Sequence, residues 1–229
     1  MKIEMWTDFM CPFCYIGKKN LEDAINKLGH PVELIYHSFQ TLPNCSKEGS
    51  SVYDIATSNG MSLQQAKMKN QFLQKSAEDI GLDFNMESVI MANTFDAHRL
   101  AMFAKEHGKS QEMVSRLFYA NYTETKHLGD HSTLTNLAEE VGLDRNEVRK
   151  MLASDALSKE VHSNISEAAK LGIRSVPYFV INRKYTISGA QPVDVILSAL
   201  QQIVEEELSF TKVKTQNGMS CDDNGCEVT

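Results

Sequence analysis

The sequence predicts an α/β fold whose sheet-forming ends are separated by an all-helical insertion. Three observations carry this. The first forty residues pattern as strand, helix, strand. Residues 49 to 172 carry helix punctuation and no clear strand. A proline-led apolar run at Pro177 then opens a hairpin that a final helix follows.

In chain order, Lys2 to Trp6 sets Lys2 and Glu4 outward and Ile3 and Met5 inward, a half-buried strand. A turn at Thr7-Asp8 leads into Cys11-Pro12-Phe13-Cys14. Pro12 suits a first helical turn, where φ is already set and no amide is needed. Cys11 then sits at a helix N-terminus, beside unpaired amides with partial positive charge, a setting that favours a thiolate. Cysteines so placed ionise more readily than a free thiol, whose pKa is ~8.5. Cys14 lies close enough along the helix to bridge to Cys11. Cys11 is therefore the expected attacking sulfur and Cys14 the resolving one. Half of a zinc site, or two thiols packed as small hydrophobes, are the other readings of such a pair. The strand-then-helix context favours redox chemistry.

Tyr15 to Leu28 continues as a helix with Ile16, Leu21, Ala24, Ile25 and Leu28 inward, ended by Gly29. Val32 to Phe39 reads as the second strand, reached by a parallel crossover. His37 within it is read as a partly buried residue with a hydrogen-bond partner, without a catalytic role. Leu42 to Ser51 is rich in turn residues and marks a boundary.

Six amphipathic helices are expected beyond it. Ser62 with Gln65 forms a capping box for one that stops at Gly81. Thr94 caps the next, Phe95 to His107. Ser110, Ser132 and Asp144 begin three more, and Leu157, Val161, Ile165, Ala168 and Leu171 line the last. Within this block Asn93-Thr94-Phe95-Asp96-Ala97-His98-Arg99 stands out. Asp96 favours the helix dipole. His98 and Arg99 either face the cleft, touching substrate or steadying a thiolate, or serve capping and packing.

Arg174 to Asn182 is an extended run, Asn182-Arg183-Lys184 a tight turn and Tyr185 to Ser188 the returning strand. Pro192 starts a helix through Val193, Ile196, Ala199, Leu200 and Ile203. The ends of the chain thus supply β-α-β and β-β-α, the elements of a thioredoxin fold. The expected organisation is residues 1–48 and 173–209 as its two halves, 49–172 as the helical insertion and 210–229 as a flexible tail.

The formal net charge of −7, without a basic run, argues against a nucleic-acid or anionic-membrane surface. Met1-Lys2-Ile3-Glu4 enters the strand with no apolar leader pattern, so a cytoplasmic location is expected. Five cysteines in a reducing compartment point to catalysis, sensing or metal rather than structural disulfides. Cys45 is the odd one out.

Four motifs together carry a resemblance: Cys11-Pro12-Phe13-Cys14-Tyr15-Ile16-Gly17, Asn93 to Arg99, Val176-Pro177-Tyr178-Phe179-Val180-Ile181-Asn182, and Ser188-Gly189-Ala190-Gln191-Pro192. In this order the chain resembles the FrnE-like branch of the DsbA family of thiol–disulfide oxidoreductases. The resemblance implies Cys11 as nucleophile, Cys14 as resolver, and Val176-Pro177 as a cis-proline loop beside them that pairs with substrate. Family members more often carry Trp where this chain has Phe13.

The polar tail holds Cys221 and Cys226, which enclose four residues. A second redox pair that relays electrons, a metal-binding pair and an incidental pair are all open. The expected activity is reduction, formation or isomerisation of protein or small-molecule disulfides, with no cofactor or metal and with a cytosolic thiol as possible reductant. A glutathione-dependent isomerase or transferase of the kappa-class type, and a redox-regulated holdase, are the rivals.

Overall fold

A computed structural model describes residues 1–216, 220–222 and 225–227, with side chains through residue 209. The chain runs β1 (Lys2–Thr7), α1 (Pro12–Leu28), β2 (Glu33–Ser38), β3 (Ser50–Ser51), α2 (Val52–Ser58), α3 (Leu63–Glu78), β4 (Ile90–Met91), α4 (Phe95–Glu106), α5 (Ser110–Tyr122), α6 (His131–Glu140), α7 (Arg145–Leu152), α8 (Ser158–Lys170), β5 (Tyr178–Ile181), β6 (Tyr185–Ser188), α9 (Val193–Gln216), β7 (Ser220–Asp222) and β8 (Gly225–Glu227).

Four strands form the central sheet in the order β2-β1-β5-β6. β1 pairs parallel with β2 and antiparallel with β5, and β6 returns beside β5. The fold is therefore the expected thioredoxin-type sheet, with a helical unit between β2 and β5. Alternation along β1 sorts the two faces. Ile3 and Met5 enter the main core with α1 and α9 residues such as Leu21, Ala24, Ile196 and Leu200. Trp6 points to the other face and joins Ala168 of α8, Ile173 and Val180 in a smaller cluster. Its indole donates to the Asn164 carbonyl oxygen at 3.2 Å, which fixes α8 against that face.

This second layer corrects the outward placement of Glu4. The residue is buried, because α8 covers its face and partners await its carboxylate. His37 Nε2 lies 3.0 Å from it, and the Arg183 guanidinium meets it at 2.5 Å. Arg183 and Asn182 hold positive φ of 56° and 49° at the centre of the hairpin turn, closed by Lys184 N–H to the Ile181 carbonyl at 3.0 Å. Arg183 also reaches Glu167 on α8 at 2.6 Å, so a side chain in an unfavourable backbone region is held by two carboxylates. His37 stacks on Trp6 with centroids 4.4 Å apart, a packing role as expected.

The helical unit differs from expectation in detail. β3 and β4 form a two-stranded antiparallel patch, and α2 is an extra helix started by Ser51, whose hydroxyl accepts from Asp54 N–H. Neither short strand spans enough residues to show a period. The capping box of Ser62 and Gln65 is present on α3, and Asp144 caps α7 through Asn146 and Glu147. α6 is capped not by Ser132 but by Asp130, whose carboxylate accepts from Thr133 N–H at 2.7 Å. Thr94 precedes α4 without capping it, since its hydroxyl is committed elsewhere.

One close approach governs how α1 meets the strand half. A β-carbon on Gly17 would lie 2.7 Å from Pro177 Cγ and 3.3 Å from its Cβ. Gly17→Ala should lower unfolding free energy by about 1–3 kcal/mol, the usual range for overpacking. Urea denaturation would check this; unchanged stability would mean that the loop yields freely.

Candidate active site

Cys11 is the N-cap residue of α1, with φ −97° and ψ 109°, and Pro12 occupies the first turn as its fixed φ requires. No side chain caps the helix there. The turn is set by Cys11 N–H to the Asp8 carbonyl and Cys14 N–H to the Cys11 carbonyl, each 3.0 Å. Cys11 is 9% exposed, Cys14 fully buried beneath it, and Phe13 39% exposed on the outer side. Both cysteines are thiols. Burial first, then the adjacent Cys11 sulfur, push the Cys14 thiol well above its ordinary value, against opposing contributions from the Asp8 backbone and Thr7. Burial thus favours the protonated form of Cys14.

The Val176–Pro177 peptide bond is cis. The Cys11 thiol donates to the Val176 carbonyl oxygen at 3.5 Å, and the Pro177 carbonyl accepts from Gly189 N–H at 2.9 Å. Two of the sequence motifs therefore meet at the Cys11 sulfur, and a third, Ser188 to Pro192, supports the loop from behind.

A residue outside the expected set lies beneath them. Asp8 is buried, and its partners come from its own loop, from the loop after β2 and from the start of α4. Its Oδ1 accepts from the Thr94 hydroxyl at 2.7 Å and Met10 N–H at 3.2 Å, with His98 Nε2 at 3.4 Å. Its Oδ2 accepts from the Thr41 amide and hydroxyl, each at 2.7 Å. Burial alone would raise the Asp8 carboxyl, yet the His98 and Thr41 interactions outweigh it and hold it below the usual carboxylate range. Asp8 is legible in hindsight as the polar residue at the end of an apolar strand, but a turn aspartate is ordinary in sequence.

His98 and Arg99 are therefore placed, and neither faces the cleft. His98 is 2% exposed, between Asp8 and the Phe9 ring, whose centroid is 4.8 Å away. Arg99 donates to Asp96 at 2.8 Å and to the carbonyls of Met151, Ser154 and Ala156 at 2.6, 2.6 and 2.8 Å. It ties the end of α7 to α4, the packing role of the two weighed. Asp96 also meets Lys47 at 2.7 Å and His131 at 2.8 Å.

Tyr122, likewise unanticipated, ends α5 next to the pair. Its ring stacks on Phe84 and its hydroxyl is buried with no well-aligned hydrogen bond. Burial, then the neighbouring Cys11, Asp8 and Cys14, push this hydroxyl well above its ordinary value. Cys45 stands apart, half-buried, with its thiol donating to the Met91 carbonyl at 3.4 Å. Among the described residues no group of three or more His, Cys, Asp or Glu is arranged to hold a metal ion. Nor is any helix there long and apolar enough to cross a membrane. Cys221 and Cys226 stand directly opposite one another in the β7–β8 backbone register, and their side chains lie outside the described set.

A model of the DSBA-like thioredoxin domain matches residues 2–201. The chain belongs to that family. Membership makes it a thiol–disulfide oxidoreductase of DsbA type. It is 32% identical over 200 residues to the uncharacterized protein YwbO of Bacillus subtilis (strain 168), covering 86% of this chain and 94% of that one. A probable DsbA oxidoreductase from Streptomyces coelicolor shares 35% identity, with a TM-score of 0.87, over 100% of this chain and 99% of its own. The glutathione-bound cytosolic disulfide reductase DsbM of Pseudomonas aeruginosa has a TM-score of 0.61 at 17% identity, over 90% and 100% of the two chains, a likeness of fold alone.

The Asp96 cluster has a pH signature. Despite burial, which raises it, hydrogen bonds from Lys47, His131 and Arg99 bring the Asp96 carboxyl down to about 2. A depressed carboxylate adds stability that is full above its unfolded pKa of about 3.9 and is lost as pH falls toward the folded value. Asp96→Asn should therefore cost about 1–2 kcal/mol at pH 7, discounted for the exposed Lys47 partner, and less and less between about pH 4 and 2. Urea unfolding of both proteins across that range would measure it; a pH-independent difference would refute the assignment.

Proposed function

We propose that Cys11 and Cys14 are the working pair, exchanging with protein or small-molecule disulfides through a mixed disulfide. The observation that carries this is the Cys11 sulfur, 3.5 Å from the Val176 carbonyl and one helical turn above a fully buried Cys14. Cys11 as thiolate attacks one sulfur of the substrate disulfide, whose S–S bond breaks and whose second sulfur leaves and takes up a proton. The Val176 backbone offers an edge for an extended substrate, and Gly17 lets Pro177 approach the helix. Cys14, relieved of its proton, then attacks the Cys11 sulfur. The substrate leaves as a second thiol and the Cys11–Cys14 disulfide remains. The reverse sequence oxidises a dithiol.

Placement in the FrnE-like branch, supported by the four motifs, belongs to the same proposal, as does a cytoplasmic location like that of the cytosolic disulfide reductase that shares the fold. So does a redox relay through Cys221 and Cys226. It is supported by their backbones standing directly opposite one another in an antiparallel pair. The domain limits at residues 48 and 172 likewise stand as proposed boundaries, whereas the expected one at 209 falls within α9, which continues to Gln216.

Cys11→Ser should abolish turnover of 2-hydroxyethyl disulfide, while Cys14→Ser should accumulate a mixed disulfide on Cys11 that mass spectrometry detects. Full activity in Cys11→Ser would reject the mechanism. Replacing Cys221 and Cys226 together by Ser should slow turnover with a thiol reductant such as glutathione by several-fold; an equal rate would reject the relay.

A further inference from the structure

A cavity of about 290 Å³ opens beside the cysteine pair, between the start of α1 and the helical unit. Met10 and Pro12 form the wall nearest Cys11, and Ile55 of α2, Leu73 of α3 and Met91 of β4 close the others. Its volume is at the lower end of small-molecule sites, which begin at about 300 Å³, so it suits a flexible arm rather than a folded segment. The lining is mostly apolar, with Asn59, Lys69, Asn70 and Tyr122 as its polar members. Tyr122, whose buried hydroxyl has no well-aligned partner, is one of the lining residues. The Lys69 ammonium of α3 lines it as well, is exposed, and makes no ion pair with any described residue.

A buried hydroxyl left unsatisfied is unfavourable, and a ligand that brings an acceptor repairs it. An exposed lysine without an ion pair among the described residues, lining a mostly apolar cavity on a chain of net charge −7, favours a negative end group. We propose that this cavity binds the arm of an aliphatic disulfide that ends in a carboxylate, with its sulfurs at Cys11 and its carboxylate at Lys69. The inference rests on the proposed exchange at Cys11 and names a substrate class for it. Methionine side chains suit the task, since Met10, Met61, Met86 and Met91 adapt to arms of differing length. In the reaction the Cys11 thiolate takes the nearer sulfur and the S–S bond of the ligand breaks. The departing alkanethiolate takes a proton from water; Cys14 gives up its proton to water and attacks the Cys11 sulfur, forming the Cys11–Cys14 disulfide and releasing the bound arm, which is protonated as the second thiol.

The test is single-turnover oxidation of the reduced full-length protein by dithiodialkanoic acids with two to five methylenes per arm. Formation of the Cys11–Cys14 disulfide is read by alkylation and mass spectrometry. Each rate is divided by that of the same protein with 2-hydroxyethyl disulfide. The expected ratio rises about three- to fourfold per added methylene. It falls about threefold for the dimethyl esters, and Lys69→Ala removes that acid–ester difference. Leu73→Trp, which fills the cavity, should flatten the chain-length dependence. A ratio independent of arm length in the unmodified protein, or an acid–ester difference that survives Lys69→Ala, would overturn the inference alone. Failure of 2-hydroxyethyl disulfide to oxidise the pair at all would overturn the exchange reading together with it.

Discussion

The buried carboxylate of Asp8 is the constraint on which the site depends. An ionised carboxylate withdrawn from water is strongly unfavourable unless it is surrounded by donors. Here the donors come from the loop after β2, the segment before α4, the active-site loop itself and His98 of α4. Those segments must converge for the charge to be tolerated at all. Once they do, the helical unit is locked to the sheet a few residues from Cys11. The loop from Asp8 to Cys11 is then held from two sides, by the side chain of Asp8 and by its carbonyl, which accepts from Cys11 N–H.

Around this knot the aromatic residues supply area rather than chemistry. Tyr15, on the second turn of α1, stacks on Phe84 and Phe118, and Phe118 in turn meets Phe9. Apolar contact thereby runs from the active-site loop through α1 to α5. Asn121 adds a directional tie, donating to the Phe9 carbonyl at 2.9 Å from a fully buried position. Opposite, Arg99 gathers the carbonyls of Met151 and Ser154 at the end of α7.

What could be read beforehand followed from periodicity and local chemistry. The strand of Ile3 and Met5, the helix after Pro12, the capping box of Ser62 and the turn at Asn182 each rest on neighbours in sequence. The positions of Cys11 and Cys14 followed from the same local logic. The cis geometry of Val176–Pro177 did not; a family resemblance suggested it. Partners far apart in the chain escaped entirely. Asp8 looked like a turn residue because Thr41 and Thr94 are distant from it, and Thr94 looked like a cap because its hydroxyl was assumed to serve its own helix. Glu4 looked exposed because alternation cannot reveal that a second layer, α8, covers the other face. Tyr122 recurs at helical spacing with Met113, Val114, Leu117 and Phe118 after Ser110, and nothing local distinguishes its hydroxyl from that apolar side.

The glycine at the crossing of α1 and the proline loop has a consequence for how this couple can diverge. With no atoms to spare between helix and loop, the inner surface leaves no freedom to retune the sulfurs from below. Variation that preserves the fold is confined to the solvent side, where Phe13 is free to change size and polarity. Homologues with altered redox character should accordingly differ in the residues between the cysteines while keeping the underside nearly invariant.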